Sequence, residues 1–457
     1  MIPRLVTLLS IAWVGLTPLE GQDANYWTHQ YGARATLLGG AVVGSVLDLS
    51  GTFYNPGGLG LIEKPDIFET SKVFHYPSVI LKGYGEEEHS FSTSSLGPAP
   101  SLVAGTLVSK GGGKNWIGFS FLTRHHISTG LAGSFVTQQN VLPEPGLESI
   151  VSDYRLGINL SESWAGLSWA YKVKQHIGIG ISPYIVVRSH HANNQTLAEA
   201  LSTGGDISML LQGGEFRYLN FRALCKIGAA FDFDRITLGL TLTTPSIKIY
   251  GKGNIGINTT VVGLDLDGDG KKEDFLAADF QEELDANYKT PVSIGLGLTY
   301  KFDNVRLYGS AEWFAGMEKY DVIRGKDFTI QSTGEIIPIS ITHELDSVIN
   351  FGIGIEYIFN PKFKTYASFT TDYSAISPDT DTSLTASTWN IYHMMAGSDF
   401  TLAGLSLTIG IGYAYGNKVT TQIPGRGSLE RETFLEDFLS GMKYKYSSIK
   451  FLFGFAF

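Results

Sequence analysis

The feature that most constrains this chain is an alternation of period two that recurs along most of its length. Ile294, Leu296, Leu298, Tyr300 and Phe302 alternate with Ser293, Gly295, Gly297, Thr299 and Lys301. Leu405, Leu407, Ile409, Ile411, Tyr413 and Tyr415 alternate with Ser406, Thr408, Gly410, Gly412, Ala414 and Gly416, and segments 177–182, 236–243 and 349–359 repeat the pattern. Successive strand side chains point to opposite faces, so each segment reads as a strand with one apolar and one small or polar face. The fold class is all-β.

A soluble sandwich gives the same pattern strand by strand, and three features favour a barrel in a bilayer instead. The polar face is rich in Gly, Ser and Thr and carries Arg222, Lys226, Arg306, Glu312 and Glu356. A charge facing lipid at mid-membrane costs roughly 2–4 kcal/mol, least for Glu, so these side chains are expected to face a lumen. Aromatics gather towards strand ends, where Trp164, Trp169, Tyr171, Trp313, Tyr357, Phe359, Tyr413 and Tyr415 suit interfacial girdles. The last segment places Ile449, Phe451, Phe453, Phe455 and Phe457 on one face, as a closing strand with a terminal aromatic would.

Strands are expected near 66–74, 100–110, 114–124, 161–173, 175–190, 216–232, 235–249, 284–302, 304–317, 345–359, 363–374, 388–400, 404–416 and 443–457. That is about fourteen, an even number, as bacterial barrels require. Short connections at 111–113, Lys174, Phe233–Asp234, Asp303, Asn360–Pro361 and 401–403 alternate with long ones near 125–160, 191–215, 250–283, 318–344 and 418–442. Short turns on one side and long loops on the other are the topology of antiparallel membrane-spanning barrels of the outer membrane. The net charge of −10 argues against nucleic acid as a partner. Arg4 followed by the apolar run 5–16 reads as an export signal over residues 1–21, cut near Gly21. With Cys225 as the sole cysteine, no intramolecular disulfide is available.

Residues 22–65 read differently, as an N-terminal hatch preceding the barrel at 66–457. They contain Gly32-Ala33-Arg34-Ala35, then Gly39-Gly40-Ala41, then Asn55-Pro56-Gly57-Gly58-Leu59. In this order these elements resemble the hatch of the outer-membrane long-chain fatty acid transporter family, which includes aromatic-hydrocarbon channels. The stretch from Thr290 to Gly297 is similar to that family's mid-barrel strand entry, and Gly57 stands where many members have Ala. The resemblance implies a monomeric barrel, folded into outer-membrane lipid by the barrel assembly machinery. It also implies uptake of hydrophobic small molecules by diffusion, with gating assigned to Gly32, Arg34, Gly39, Gly40, Asn55, Pro56 and Gly57. Ligand would leave by a gap in the wall beside a kinked strand. An acyl chain gains about 0.8 kcal/mol per methylene removed from water, so it needs an apolar route.

Arg222, Lys226 and Arg306 face inward by parity and could hold a ligand carboxylate, although pairing with Glu312, Glu356 or Asp232 is the plainer expectation. Asp265, Asp267 and Asp269 at alternate positions, with Gly270 after the third and Glu273 and Asp274 following, suggest a structural calcium site in an outer loop. Leu276 replaces the bidentate Glu of an EF-hand, and no cofactor is required. His125-His126 and His190-His191 read as polar residues at outer loop bases, and no nucleophile–base spacing suggests an enzyme. Two other functions are compatible with the pattern, a surface shuttle that holds cargo and an outer-membrane hydrolase.

Overall fold

The computed structural model describes residues 24–45, 48–63, 66–84, 89–94, 97–109, 114–139, 142, 146–265, 270–376, 389–419 and 443–457. The expected signal 1–21 and its cleavage site lie outside them. The protein is a fourteen-stranded closed antiparallel barrel with a small N-terminal hatch. Its strands are β1 (Phe68–Tyr84), β2 (His89–Ser94 continuing as Gly97–Ser109), β3 (Asn115–Gln139), β4 (Glu148–Lys174), β5 (Ile177–Leu201) and β6 (Ile207–Phe233). Next come β7 (Ile236–Thr243 and Ile247–Leu264), β8 (Glu273–Asp285 and Ser293–Lys301), β9 (Val305–Phe314), β10 (Val348–Asn360), β11 (Phe363–Asp372), β12 (Ile391–Leu402), β13 (Leu405–Val419) and β14 (Lys443–Ala456). The barrel closes where β1 pairs with β14, from Glu69 opposite Ala456 to Lys82 opposite Lys443.

Parity behaves as the sequence requires. Leu167, Trp169, Ile179, Leu238, Leu240, Leu296, Ile353, Ile409 and Phe453 all point outward and are exposed, forming the apolar belt a bilayer would cover. Arg222, Lys226 and Glu356 point inward and are buried. Trp164 departs from its expected place in a girdle. It lies inside the lumen, tilted against Phe53 of the hatch at 5.8 Å between ring centroids.

The larger departure is in the expected long loops. Segments 125–160, 191–215 and 250–283 are mostly strand, because β3 to β6 run on to 25–27 residues each and the upper parts of β7 and β8 pair beside them. About 9–11 residues cross a bilayer, so these strands continue well past it. Above the belt the polarity of the alternation inverts. Leu156, Ile158, Leu160, Phe216, Ile255 and Ile257 turn inward and are buried, while Arg155, Asn159, Glu215 and Arg217 turn out. Water, not lipid, is the outside there, so apolar side chains seek the inside. The strands β9 to β12 stay short at 10–13 residues, and the barrel is tall on one side only.

The segment expected as loop 318–344 is a hairpin that folds into the upper lumen. Met317–Arg324 pairs with Ser340–Leu345, and Phe328–Thr329 with Ile336–Ile337, as two small sheets separate from the barrel.

Candidate functional site

The hatch contains three short helices, α1 (Ala33–Leu37), α2 (Gly51–Tyr54) and α3 (Pro56–Leu59). Asn55 sets up the last of them. Its Oδ1 accepts from the Gly57 amide at 3.0 Å, and Pro56 follows at the first helical position, where a missing N–H costs nothing. Its Nδ2 donates to Val43 O at 2.8 Å and to Ala229 O of β6 at 3.1 Å. One amide thus folds the motif and fastens it to the wall. Gly57 is required by closeness, since a Cβ there would stand 2.7 Å from Gly228 O. Gly44 meets Gly297 of β8 in the same way, with a Cβ falling 2.6 Å from its carbonyl carbon. Glycines on the inward face therefore let hatch backbone lie against wall backbone.

The remaining hatch residues singled out by the sequence serve the same attachment. Arg34 reaches Glu356 of β10 at 3.5 Å, and Tyr308 and Tyr366 donate to the same carboxylate. Gly32, Gly39 and Gly40 all sit at positive φ around α1. Sequence reasoning missed Glu69 and Asp372. Glu69 of β1 accepts from the Ala33 and Leu49 amides at 3.0 and 2.9 Å, and Asp372 of β11 accepts from the Trp27 amide and the Thr28 hydroxyl at 2.8 and 2.6 Å. Each is an inward acid at a strand end, a position no motif marks.

Between the hatch and the tall wall lies a cavity of about 50 Å³, bordered by Phe53, Trp164, Tyr288, Phe314, Arg124 and Lys226. A volume of this order takes a few waters, whereas pockets holding drug-sized ligands run to roughly 300–1,000 Å³. A β-bulge supplies Arg124: the register of β3 on β4 slips between Thr123 and His125, so Arg124 and His125 both point inward. Arg124 stacks over Phe53 and Trp164 at 5.7 and 5.9 Å and donates to the neutral Tyr31 hydroxyl at 3.3 Å. Lys226 sits 4.2 Å from the Phe53 ring centroid and a long 4.0 Å from Glu312.

Of the three cations expected in the lumen, Arg222 and Lys226 border this cavity and Arg306 does not. Arg222 is held at 2.7 Å by Glu162, which also takes Arg188 at 3.1 Å. Its partner is therefore neither Glu312, Glu356 nor Asp232. Arg306 pairs with Glu356 at 3.5 Å, and Asp232 with Lys301 at 2.6 Å. The two histidine pairs lie within strands, not at loop bases, and His125 and His190 are buried while His126 is exposed.

In the acidic loop, Asp265 accepts from the Gly270 amide and Asp274 from the Gly263 amide, both at 2.9 Å, and Glu273 opens β8. Asp267 and Asp269 lie outside the described residues. Among the described residues no group of three or more acids, histidines or cysteines is placed to hold a metal.

No family model matches the chain, and no curated protein matches it in sequence. Solved structures do. The toluene transporter TodX of Pseudomonas putida superposes with a TM-score of 0.55 at 15% identity, over 94% of this chain and 98% of its own. The fold is that of the hydrocarbon-channel barrels. The monoaromatic hydrocarbon channel CymD (TM-score 0.54, 11% identity) and the Ralstonia pickettii toluene transporter TbuX (0.52, 12%) each cover 94% of this chain, and 98% and 99% of their own lengths. At these identities the likeness fixes the architecture, a lumen plugged by an N-terminal hatch, and leaves ligand and gating to the residues described above.

Proposed function

We propose that this hydrocarbon-channel-like barrel is an outer-membrane channel for diffusion-driven uptake of hydrophobic compounds, gated by its hatch. The observation that carries the reading is the cavity behind the hatch, aromatic on its sides and too small in this state for any such ligand. Entry then requires displacement of Asn55 to Leu59 from the glycine-lined wall, without loss of any barrel strand pairing. Arg124 and Lys226 add an end-group preference. Both stand over aromatic rings, and their best polar partners are a neutral phenol and a carboxylate at the limit of ion-pair distance. A hydrophobic carboxylic acid, with its tail on Phe53 and Trp164, gives these cations a close anion.

The test is uptake of radiolabelled oleate and toluene by cells lacking their own fatty acid channel, with and without this protein. Oleate uptake conferred by the parent and reduced by Arg124→Gln with Lys226→Gln, toluene being unaffected, is the expected result. Absence of uptake for both compounds overturns the channel reading and favours the surface shuttle.

A further inference from the structure

The outward face of the tall wall is polar and, across β5 to β8, hollow. Backbone register places Gly157, Asn193, Glu215, Gly256 and Phe280 in one row from β4 to β8, and Arg155, Gln195, Gly213, Asn258 and Ala278 in the next row up. Asn193, Gln195, Glu215 and Asn258 are exposed, whereas Asn194, Phe216 and Ile257 between them turn inward and are buried. Glycine makes the hollow. A Cβ on Gly256 would stand 2.9 Å from Phe280 Cδ2 and 3.2 Å from Glu215 Cγ, and one on Gly157 would collide with the Asn193 amide. These side chains lie down over bare backbone and leave a groove of about 590 Å³. That is the range of small-ligand sites.

The groove differs in its chemistry from an ordinary solvated face. Its amides, Asn193, Gln195 and Asn258, are compact and uncharged, where lysines would lie across the hollow and fill it. Among the described residues Asn193, Gln195 and Glu215 have no hydrogen-bond or ion-pair partner, and the Asn258 carboxamide only accepts, from Thr260 Oγ1 at 3.3 Å. An amide donates and accepts side by side, which matches the neighbouring hydroxyls of a sugar ring. Phe280, 53% exposed, closes one end with a ring face against which the C–H side of a pyranose packs. Arg155 above the row and Arg217 below it are exposed and have no ion pair among the described residues. Guanidinium groups so placed take phosphate.

Height selects the source of the sugar. The outward row of β6 leaves the apolar belt at Leu219, and Arg217, Glu215 and Gly213 follow. At about 3.3 Å per residue and the usual 35–45° tilt, Glu215 and Gly213 stand roughly 10–15 Å above Leu219, on the water side of the lipid. A glycan carried by a lipid of the same leaflet lies at that height. We propose that this groove binds the phosphorylated core oligosaccharide of an outer-leaflet glycolipid, with the amides and Phe280 on the sugars and Arg155 and Arg217 on the phosphates. The groove needs only the outer-membrane location of the reading above, not uptake.

Binding is measured on the protein in detergent with three probes: rough-type lipopolysaccharide, which keeps the core sugars, lipid A, which lacks them, and the lipid-free core oligosaccharide. Rough-type lipopolysaccharide should bind at least about tenfold more tightly than lipid A. Asn193→Ala with Gln195→Ala and Phe280→Ala should remove that difference and leave lipid A binding unchanged. Arg217→Gln should lower the affinity for rough-type lipopolysaccharide and flatten its salt dependence. These side chains are exposed, so heat-modifiable assembly should stay normal, and Phe280→Ala alone serves if the triple variant assembles poorly. Equal binding of rough-type lipopolysaccharide and lipid A, or parent-like binding by the variants, overturns the site. Core oligosaccharide bound as tightly as whole lipopolysaccharide would assign the groove to a free glycan and overturn the glycolipid. If the parent confers no oleate uptake but shows the glycolipid difference and the triple variant loses it, the groove stands and the uptake reading fails.

Discussion

Replacing Asn55 with Ala isolates the hatch from the barrel. The side chain is fully buried and makes three hydrogen bonds, one closing its own turn, one to Val43 and one to the wall at Ala229. Each such bond contributes about 0.5–1.5 kcal/mol net, so Asn55→Ala weakens the docked hatch by about 1.5–4.5 kcal/mol. At about 1.4 kcal/mol per decade, the open-to-docked ratio rises by roughly one to three orders of magnitude. The barrel is untouched, because among these partners only Ala229 belongs to it. Asn55→Asp should be at least as disruptive: it keeps an acceptor for the Gly57 amide but turns a carboxylate towards two carbonyl oxygens. Hydrogen exchange at Gly57 and Gly58 reads the docking, labelled oleate uptake reads the gate, and heat-modifiable migration reads barrel assembly. Faster exchange and altered uptake with normal assembly are expected. Parent-like exchange and uptake in Asn55→Ala would refute the assignment of the gate to this turn, and loss of assembly would refute the separation of hatch from barrel.

Three further outcomes follow from residues already placed. Phe457 exchanges backbone hydrogen bonds with Phe68 and Ile67 across the closing seam, so its deletion should leave unfolded protein in the periplasm, and wild-type amounts of heat-modifiable product would contradict this. His343 of the hairpin is buried between Tyr288 and Tyr320. Burial, then the Arg188 guanidinium, push its imidazole down to about 3 from 6.5, and His190 is the other titratable neighbour. The docked hairpin therefore keeps His343 neutral while a lifted one lets it protonate. Docking is full above pH 6.5 and weakens by about 1.4 kcal/mol per unit as pH falls from there towards 3. Maleimide labelling of an Ile330→Cys thiol in a Cys225→Ser background, normalised to a free thiol, should rise about fivefold from pH 6.5 to 5.5 and do so less in His343→Phe; a flat profile would exclude the coupling. For the acidic loop, calorimetry should show calcium binding that weakens in Asp267→Ala with Asp269→Ala, and equal binding by mutant and parent would dismiss the site.

The lower barrel was legible because lipid outside and a polar lumen inside impose one sense of alternation, and Leu238, Leu240, Leu296 and Leu298 obey it. The same rule hid the upper barrel. Where Leu156 and Ile158 turn inward and Asn159 and Arg155 outward, the sense is that of a soluble protein, and a search for lipid-facing rows reads the stretch as loop. Parity also failed at one residue of the cavity. The bulge at Arg124 inserts a residue without any sequence mark, so the last residue of the expected strand 114–124 points at the hatch out of step with the alternation. The alternation puts Arg222 on the inward face but cannot show its partner, since Glu162 lies across β5 on a strand whose register one sequence cannot supply. The Asn55-Pro56-Gly57 turn was readable for the opposite reason: its conformation is local, and only its contact with Gly228 needed the fold.

The tall strands also set how far the protein stands clear of the bilayer. Twenty-seven residues of β6 at about 3.3 Å each, inclined by the usual 35–45°, rise to roughly 65 Å, against an apolar band of about 25 Å. The wall formed by these tall strands should therefore project about 40 Å beyond the lipid on one side, like a chimney with its mouth away from the headgroups. A molecule arriving from water would meet protein, the polar outer face of these strands and the hairpin packed inside them, well before it reached the membrane face. Atomic-force height above a supported bilayer measures that reach, and a profile lower than about 15 Å would mean that the tall wall does not stand upright.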